Sequence, residues 1–125
     1  MEHPGLRGLS ILVVENELLI AMDIVDALES AGANTTMTTT ARHAMILADH
    51  DGLAEAIMDH GLTDGDSLAV CARLKERGIP YISYSGYAAV AGADPDAPFI
   101  SKPVSMNVLM SALEDLLAGR PVRAS

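Results

Sequence analysis

Apolar or β-branched residues cluster along the chain in five short runs, and each run ends at polar or turn-forming residues. Short apolar runs bounded in this way predict β-strands, most of them buried on both faces. The second run is more polar than the others, so we expect its strand near an edge of the sheet. The predicted strands are residues 10–14, 34–38, 56–59, 80–84 and 99–101.

Between these runs, apolar residues recur at intervals of three and four, which predicts helices with one buried stripe. In the first helix the stripe includes Ile20, Ile24 and Leu28. Thr40 and Ser105 are placed to cap the second and the last helix. The predicted helices cover residues 18–31, 41–49, 67–77 and 106–118.

The segment between the fourth and fifth strands has the weakest pattern of the chain. A helix over residues 88–93 would be short or disordered, because Gly92, Pro95 and Pro98 confine it. Elsewhere strands and helices alternate, which predicts an α/β fold with a doubly wound, five-stranded parallel sheet in the order 2-1-3-4-5. We expect a single domain over residues 1–125, with a core from about 9 to 118 and flexible ends.

Composition narrows the kinds of partner. The formal net charge of −9 argues against a nucleic-acid backbone or an anionic membrane, and it suits a cation or a basic protein surface. The lone Cys71 excludes an internal disulfide and is expected to be a small buried residue. The first eight residues lack the apolar region of a signal peptide, so we expect a soluble, cytoplasmic protein.

Polar residues follow the carboxyl ends of the predicted strands. Carboxylates that meet at one edge of a sheet need a cation, and hard oxygen ligands suit Mg²⁺. A carboxylate can also attack phosphorus to give an aspartyl phosphate, with a lysine pairing a phosphoryl oxygen. Taken alone, an aspartate after a strand, such as Asp59, more often only caps a turn or helix. The strand-end residues are Glu15, Asn16, Glu17, Asp59, Ser85 and Lys102.

These residues resemble the receiver domain of bacterial response regulators, the CheY-like superfamily, over roughly residues 10–118. The matching motifs are the run from Ile11 to Glu17, Met58-Asp59, Ser85-Gly86 and Lys102-Pro103. Their order and spacing carry the resemblance more than any single motif does. The resemblance implies a CheY-like, flavodoxin-like fold and a phosphoryl group accepted from a phosphohistidine.

The resemblance also assigns roles by position. It makes Asp59 the phosphoacceptor, and it places Mg²⁺ on Glu15, Asn16, Asp59 and the Gly61 carbonyl, with Glu17 as a further candidate ligand. It makes Ser85 the switch hydroxyl, Phe99 the switch aromatic and Lys102 the phosphate-binding lysine. The side chain of His60, next in sequence to Asp59, is expected to point away from it.

The chain departs from the family pattern at three places. Asn16 stands where an aspartate is usual, so we expect weak Mg²⁺ binding. Thr63 replaces a common proline, and the interval from Ser85 to Lys102 is short for the family. With Tyr84-Ser85-Gly86-Tyr87, this interval resembles the "FAT GUY" subgroup, which often works with HWE or HisKA2 kinases.

The resemblance implies a single-domain response regulator that signals by protein contact or by onward phosphotransfer. Its partner would be a sensor histidine kinase or a histidine phosphotransfer protein. We expect no enzymatic activity beyond self-phosphorylation and autodephosphorylation. The alternative is a pseudo-receiver, a binding module that is not phosphorylated because of Asn16. A flavodoxin-like cofactor carrier lacks a phosphate cradle after strand one, and a phosphohydrolase would need an acid where Gly61 stands.

Overall fold

The protein is an α/β domain with helices on both faces of one sheet, seen in a computed structural model that describes residues 2–86 and 92–122. All strand pairs are parallel and the order is β2-β1-β3-β4-β5, which confirms the predicted topology. The elements are Ser10–Val14 (β1), Leu18–Ser30 (α1), Asn34–Thr38 (β2), Ala41–Leu47 (α2), Leu53–Met58 (β3), Ser67–Glu76 (α3), Tyr81–Ser85 (β4), Phe99–Ser101 (β5) and Met106–Leu117 (α4).

The strand predictions hold closely. The bounds of β1, β2 and β5 are those expected, and β2 is an edge strand as predicted. β4 begins one residue later than expected, because Pro80 has no amide hydrogen to donate to the ladder. β3 begins at Leu53, three residues earlier than expected, so its pairing with β1 includes Glu55 opposite Ile11.

The helices match their patterns, although each ends one or two residues early. α2 stops at Leu47, and the Thr40 side chain caps its start by accepting the His43 amide. The Ser105 hydroxyl accepts the Val108 amide in the same way at the start of α4. After α1, Gly32 adopts φ +88°, a conformation that favours glycine and turns the chain into β2.

Alternate residues of the central strands enter two separate cores. Val13 and Ile57 pack with α1 and α4 on one face of the sheet. Leu12 and Met58 pack with α2 and α3 on the other face, together with the buried Cys71. Because both faces of β1 and β3 are covered, their sequences are nearly continuous in apolar residues.

The amino-terminal segment differs from the loose lead-in that we expected. Pro4–Leu6 forms a short 3₁₀ turn, and Leu6 is fully buried in the core beneath α4. His3 is also buried, with its Nδ1 2.9 Å from Glu114 Oε1 and its Nε2 2.8 Å from Asn107 Oδ1. The Gly5 amide donates to the other Glu114 oxygen. The expectation was wrong because one leucine and one histidine leave no periodic signal.

The helix expected over residues 88–93 lies mostly outside the described residues. The part that the structure describes, residues 92–98, contains turns and no helix. It is tied to α3 by an ion pair of 2.7 Å between Lys75 Nζ and Asp94 Oδ2. Residues 123–125 of the tail also lie outside the described part. None of the described helices has the length and apolar character needed to cross a bilayer.

Candidate functional site

The strand topology brings four separated polar residues to one edge of the sheet. Glu15 follows β1, Asp59 follows β3, Ser85 ends β4 and Lys102 follows β5. These four strands are neighbours in the sheet, so their carboxyl ends meet. A cleft of about 330 Å³ opens there, lined by Asn16, Glu17, Asp59, Gly61, Gly86 and Lys102.

The Lys102 ammonium lies among three carboxylates. Its Nζ is 2.6 Å from Glu15 Oε1, 3.5 Å from Asp59 Oδ2 and 4.0 Å from Glu17 Oε2. Burial alone would lower the pKa of Lys102, but the hydrogen bond to Glu15 and the surrounding negative charges raise it above its ordinary value. Lys102 is therefore a fixed positive charge at neutral pH.

Asp59 is buried and held from the backbone. The Gly61 amide donates to Oδ1 at 2.8 Å and the Asn16 amide donates to Oδ2 at 3.1 Å. Burial opposes ionisation of Asp59, but hydrogen bonds from Glu15 and from these two amides, with the charge of Lys102, hold its pKa below its ordinary value. Asp59 is thus a buried carboxylate that stays ionised.

Glu15 responds differently from Asp59 although the two are neighbours. Burial raises the pKa of Glu15 to about 6, while the Glu17 amide and Lys102 act in the opposite direction. The charge of Asp59 adds to the rise. Because like charges at one point resist joint ionisation, the first proton taken up by the pair goes to Glu15.

The cleft has the donor chemistry of a site for a hard cation. Among the described residues, no group of three or more His, Cys, Asp or Glu side chains forms a ready metal cage. Yet the carboxylates of Glu15, Glu17 and Asp59 outnumber the one ammonium of Lys102, and Asn16 lines the same cleft. A site with a small number of protein oxygens and room for water suits Mg²⁺ better than it suits a metal that needs a closed set of protein ligands.

The remaining predicted site residues take different positions. Ser85 is buried at the end of β4, and its carbonyl accepts the Lys102 amide at 2.9 Å. Phe99 begins β5, opposite Ser83, and is half-buried; it is not among the residues that line the cleft. The structure therefore gathers Glu15, Asn16, Asp59 and Lys102, with Ser85 beside them, and leaves Phe99 two residues below the edge.

Two further side chains lie near the cleft; the contact of Tyr84 was not predicted, whereas the orientation of His60 was. The Tyr84 ring lies under the Lys102 ammonium, 5.5 Å from Nζ to the ring centroid. His60 points away from Asp59, as expected, and bonds Ser67 Oγ at 2.7 Å and Ser83 Oγ at 2.9 Å. A tyrosine inside a buried strand must find a partner for its hydroxyl, which was the available signal for Tyr84.

The structure is similar to solved receiver domains at low sequence identity. A CheY-like receiver domain protein from Methanospirillum hungatei has 23% identity and a TM-score of 0.79, covering 90% of this chain and 95% of its own. A receiver protein from Sinorhizobium medicae has 22% identity and a TM-score of 0.81, covering 91% and 98%.

A third similar structure contains a metal. It is the receiver domain of a sensor histidine kinase from Pseudomonas aeruginosa, with magnesium in its active-site cleft. Its identity to this chain is 21% and the TM-score 0.77, with 89% and 98% of the two chains covered. No protein-family model and no curated protein matched the chain. The likenesses establish the CheY-like, flavodoxin-like fold; the "FAT GUY" subgroup stays a prediction.

Proposed function

We propose that the protein is a response-regulator receiver that accepts a phosphoryl group on Asp59. The observation that supports this most is a buried carboxylate kept ionised in an open cleft, 3.5 Å from an ammonium. An Asp59 oxygen would attack phosphorus, and the bond from phosphorus to the donor's imidazole nitrogen would break. The nitrogen keeps the electron pair and then takes a proton. The Lys102 ammonium would then pair with a phosphoryl oxygen.

Mg²⁺ is the proposed cofactor of this step, and its chemistry would be to neutralise the phosphoryl oxygens. Glu15, Asn16, Asp59 and the Gly61 carbonyl would hold it, with Glu17 as a further oxygen donor. An amide oxygen at Asn16 carries no charge, and Glu15 is already engaged by Lys102 at 2.6 Å. Both features support weak binding.

The switch residues would couple the phosphoryl group on Asp59 to a structural change at the protein surface. The Ser85 hydroxyl would bond the phosphoryl group, and the loops after β4 and β5 would shift with it. Phe99, half-buried at the start of β5, would change its packing as Ser85 moves. The output is a protein contact or onward phosphotransfer, and we propose no reaction beyond the protein's own phosphorylation and autodephosphorylation. We place it in the cytoplasm, without a nucleic-acid or membrane partner.

The proposed donor is a sensor histidine kinase or a histidine phosphotransfer protein. α1 starts beside the cleft and exposes a cluster of apolar side chains, with Leu18 53%, Leu19 77% and Met22 50% accessible. Exposed apolar residues next to an active cleft favour a helical partner docking there. The resemblance to the "FAT GUY" subgroup implies a kinase of the HWE or HisKA2 kind.

Phosphotransfer from the host's histidine kinases tests this proposal. Radiolabelled phosphoryl groups should pass to the wild-type chain and should be absent from Asp59→Asn, because the amide is not a nucleophile of this kind. Asp51→Asn is the matched control, since Asp51 is an exposed aspartate in the turn before β3. Label on Asp59→Asn, or none on the wild-type chain with any kinase, contradicts the proposal.

A second candidate is the pseudo-receiver, which Asn16 and the Lys102–Glu15 contact favour. Titration with Mg²⁺ and beryllofluoride, followed by amide NMR, separates the two. A receiver should show saturable shifts at Gly61 and Ser85, and Asn16→Asp should tighten the Mg²⁺ affinity. Spectra that do not change at any concentration support the pseudo-receiver.

A further inference from the structure

We infer that Tyr84 is the positioning residue for Lys102, the cation of the cleft. The inference rests on the proposed function for its role in phosphoryl transfer, while the contact itself is a feature of the structure. Lys102 Nζ sits 5.5 Å from the centroid of the Tyr84 ring. At this distance the face of an aromatic ring attracts an ammonium.

Tyr84 is anchored well enough to hold a charge in place. Its side chain is 3% exposed and packs in the core formed with α1 and α4. Its hydroxyl accepts the Val104 amide at 3.3 Å, two residues after Lys102. One side chain therefore contacts both the ammonium and the backbone of the loop that carries it.

The ring limits where the lysine side chain can lie. Lys102 has only 12% of its side chain exposed, and its ammonium faces Glu15 at 2.6 Å on the side of the cleft. With the ring removed, the long aliphatic stem could settle into the vacated space and draw the ammonium away from Asp59. Tyr84 thus acts through Lys102 and makes no contact of its own with the proposed reacting atoms.

The chain is well suited to a direct test, because it contains two lysines, Lys75 and Lys102. Lys75 is 66% exposed and serves as an internal reference in the same NMR spectrum. In the wild-type protein we expect the Lys102 ε-methylene protons to be shifted upfield of those of Lys75 by the ring current and to show nuclear Overhauser contacts to the Tyr84 ring. The absence of both signatures overturns the inference without any substitution.

Two substitutions then separate the ring from the hydroxyl. Tyr84→Leu should abolish the upfield shift and slow phosphorylation by acetyl phosphate with Mg²⁺ about tenfold. Tyr84→Phe keeps the ring, so it should retain the shift and recover most of the rate. Rates are compared well below each melting temperature. A Tyr84→Leu rate equal to that of wild type overturns the inference, as does a failure of Tyr84→Phe to restore it.

A double substitution tests whether Tyr84 works through the lysine. In a Lys102→Met background, Tyr84→Leu should cause no further loss of rate, because the cation that it positions is gone. A further loss equal to that in the wild-type background means that Tyr84 acts independently and contradicts the inference. If the wild-type chain takes up no phosphoryl group, the proposed function fails, and the NMR signatures alone decide the position of Lys102.

Discussion

Two buried carboxyl groups differ in their ionisation: that of Glu55, inside β3, and that of Asp59, directly after β3. Asp59 is 3% exposed and Glu55 is 0% exposed, so burial is nearly the same. Asp59 accepts two backbone amides and faces Lys102, and its pKa is held below the ordinary value. Neither oxygen of Glu55 has a hydrogen-bond partner among the described residues, and burial raises its pKa to about 9. The hydrogen-bond and charge partners of each buried carboxyl group, and not its burial, therefore decide whether it is ionised.

The position along the strand explains this difference. Inside β3 the backbone groups are used in the ladders with β1 and β4, so Glu55 finds aliphatic neighbours such as Ile11 opposite it. Past the last residue of β3, the amides of the following loop are free of the ladder and turn toward Asp59. A buried negative charge persists at the edge of this sheet and is neutralised in its interior.

The largest effect should follow from Glu55→Met. Between pH 4.5 and about 9 the folded wild-type chain keeps a proton on Glu55 that the unfolded chain releases, so its stability falls as pH rises. Methionine does not titrate. The advantage of the variant in free energy of unfolding should grow by up to ~1.4 kcal/mol per pH unit from pH 5 to 8. Urea unfolding at four pH values measures it.

Glu76→Met is the control for that comparison, because Glu76 is 69% exposed at the end of α3. It supplies the pH series of an exposed glutamate, against which the series for Glu55→Met is compared. Other titrating groups are common to the wild type and the variants and cancel in the difference. A pH-independent advantage for Glu55→Met would mean that Glu55 has a partner in solution.

The next largest effect should follow from Lys102→Met, which removes the ammonium and leaves Asp59, like Glu55, without a cationic partner. Without the ammonium, the pKa values of Asp59 and Glu15 should both rise, because burial still opposes their charge. Carboxyl-carbon NMR titration without Mg²⁺ measures the two midpoints. Phosphoryl uptake should fall about 100-fold, the usual cost of removing one charge-stabilising donor.

Lys75→Met is the matched control for Lys102→Met. Lys75 is the other lysine of the chain and pairs with Asp94 away from the cleft. Removing it should leave both carboxyl midpoints and the uptake rate unchanged. Unchanged carboxyl midpoints in Lys102→Met would show that the two backbone amides alone keep Asp59 ionised.

The smallest effect is on His60, which lies next to Asp59. Burial lowers the pKa of His60 below 6.5, while the negative charge of Asp59 partly opposes this shift. Asp59→Asn should therefore move the His60 midpoint further down in an NMR titration of its ring. An unchanged midpoint would show that Asp59 carries no charge in the resting protein.

Much of this comparison was accessible from the sequence. The alternation of apolar runs and helical stripes predicted the sheet order, and the strand ends predicted that Asp59 and Lys102 would meet. Glu55 was missed because it interrupts the apolar run, which led to a strand predicted to start at Ala56. Tyr84 was missed because its contact depends on where a long lysine side chain folds back, and no spacing encodes that. The roles of Ser85 and Phe99 stay predictions, since they concern a second state.

The contact between the amino-terminal turn and α4 has a practical consequence. His3 and Glu114 meet at 2.9 Å, near the end of α4 that is remote from Lys102. The first described residues and the end of α4 therefore lie on one side of the domain. A circularly permuted gene could link these two regions and open the chain at Gly52, just before β3. Every strand pairing of the sheet would be preserved. The permuted domain could then be inserted into a host protein with its cleft facing outward.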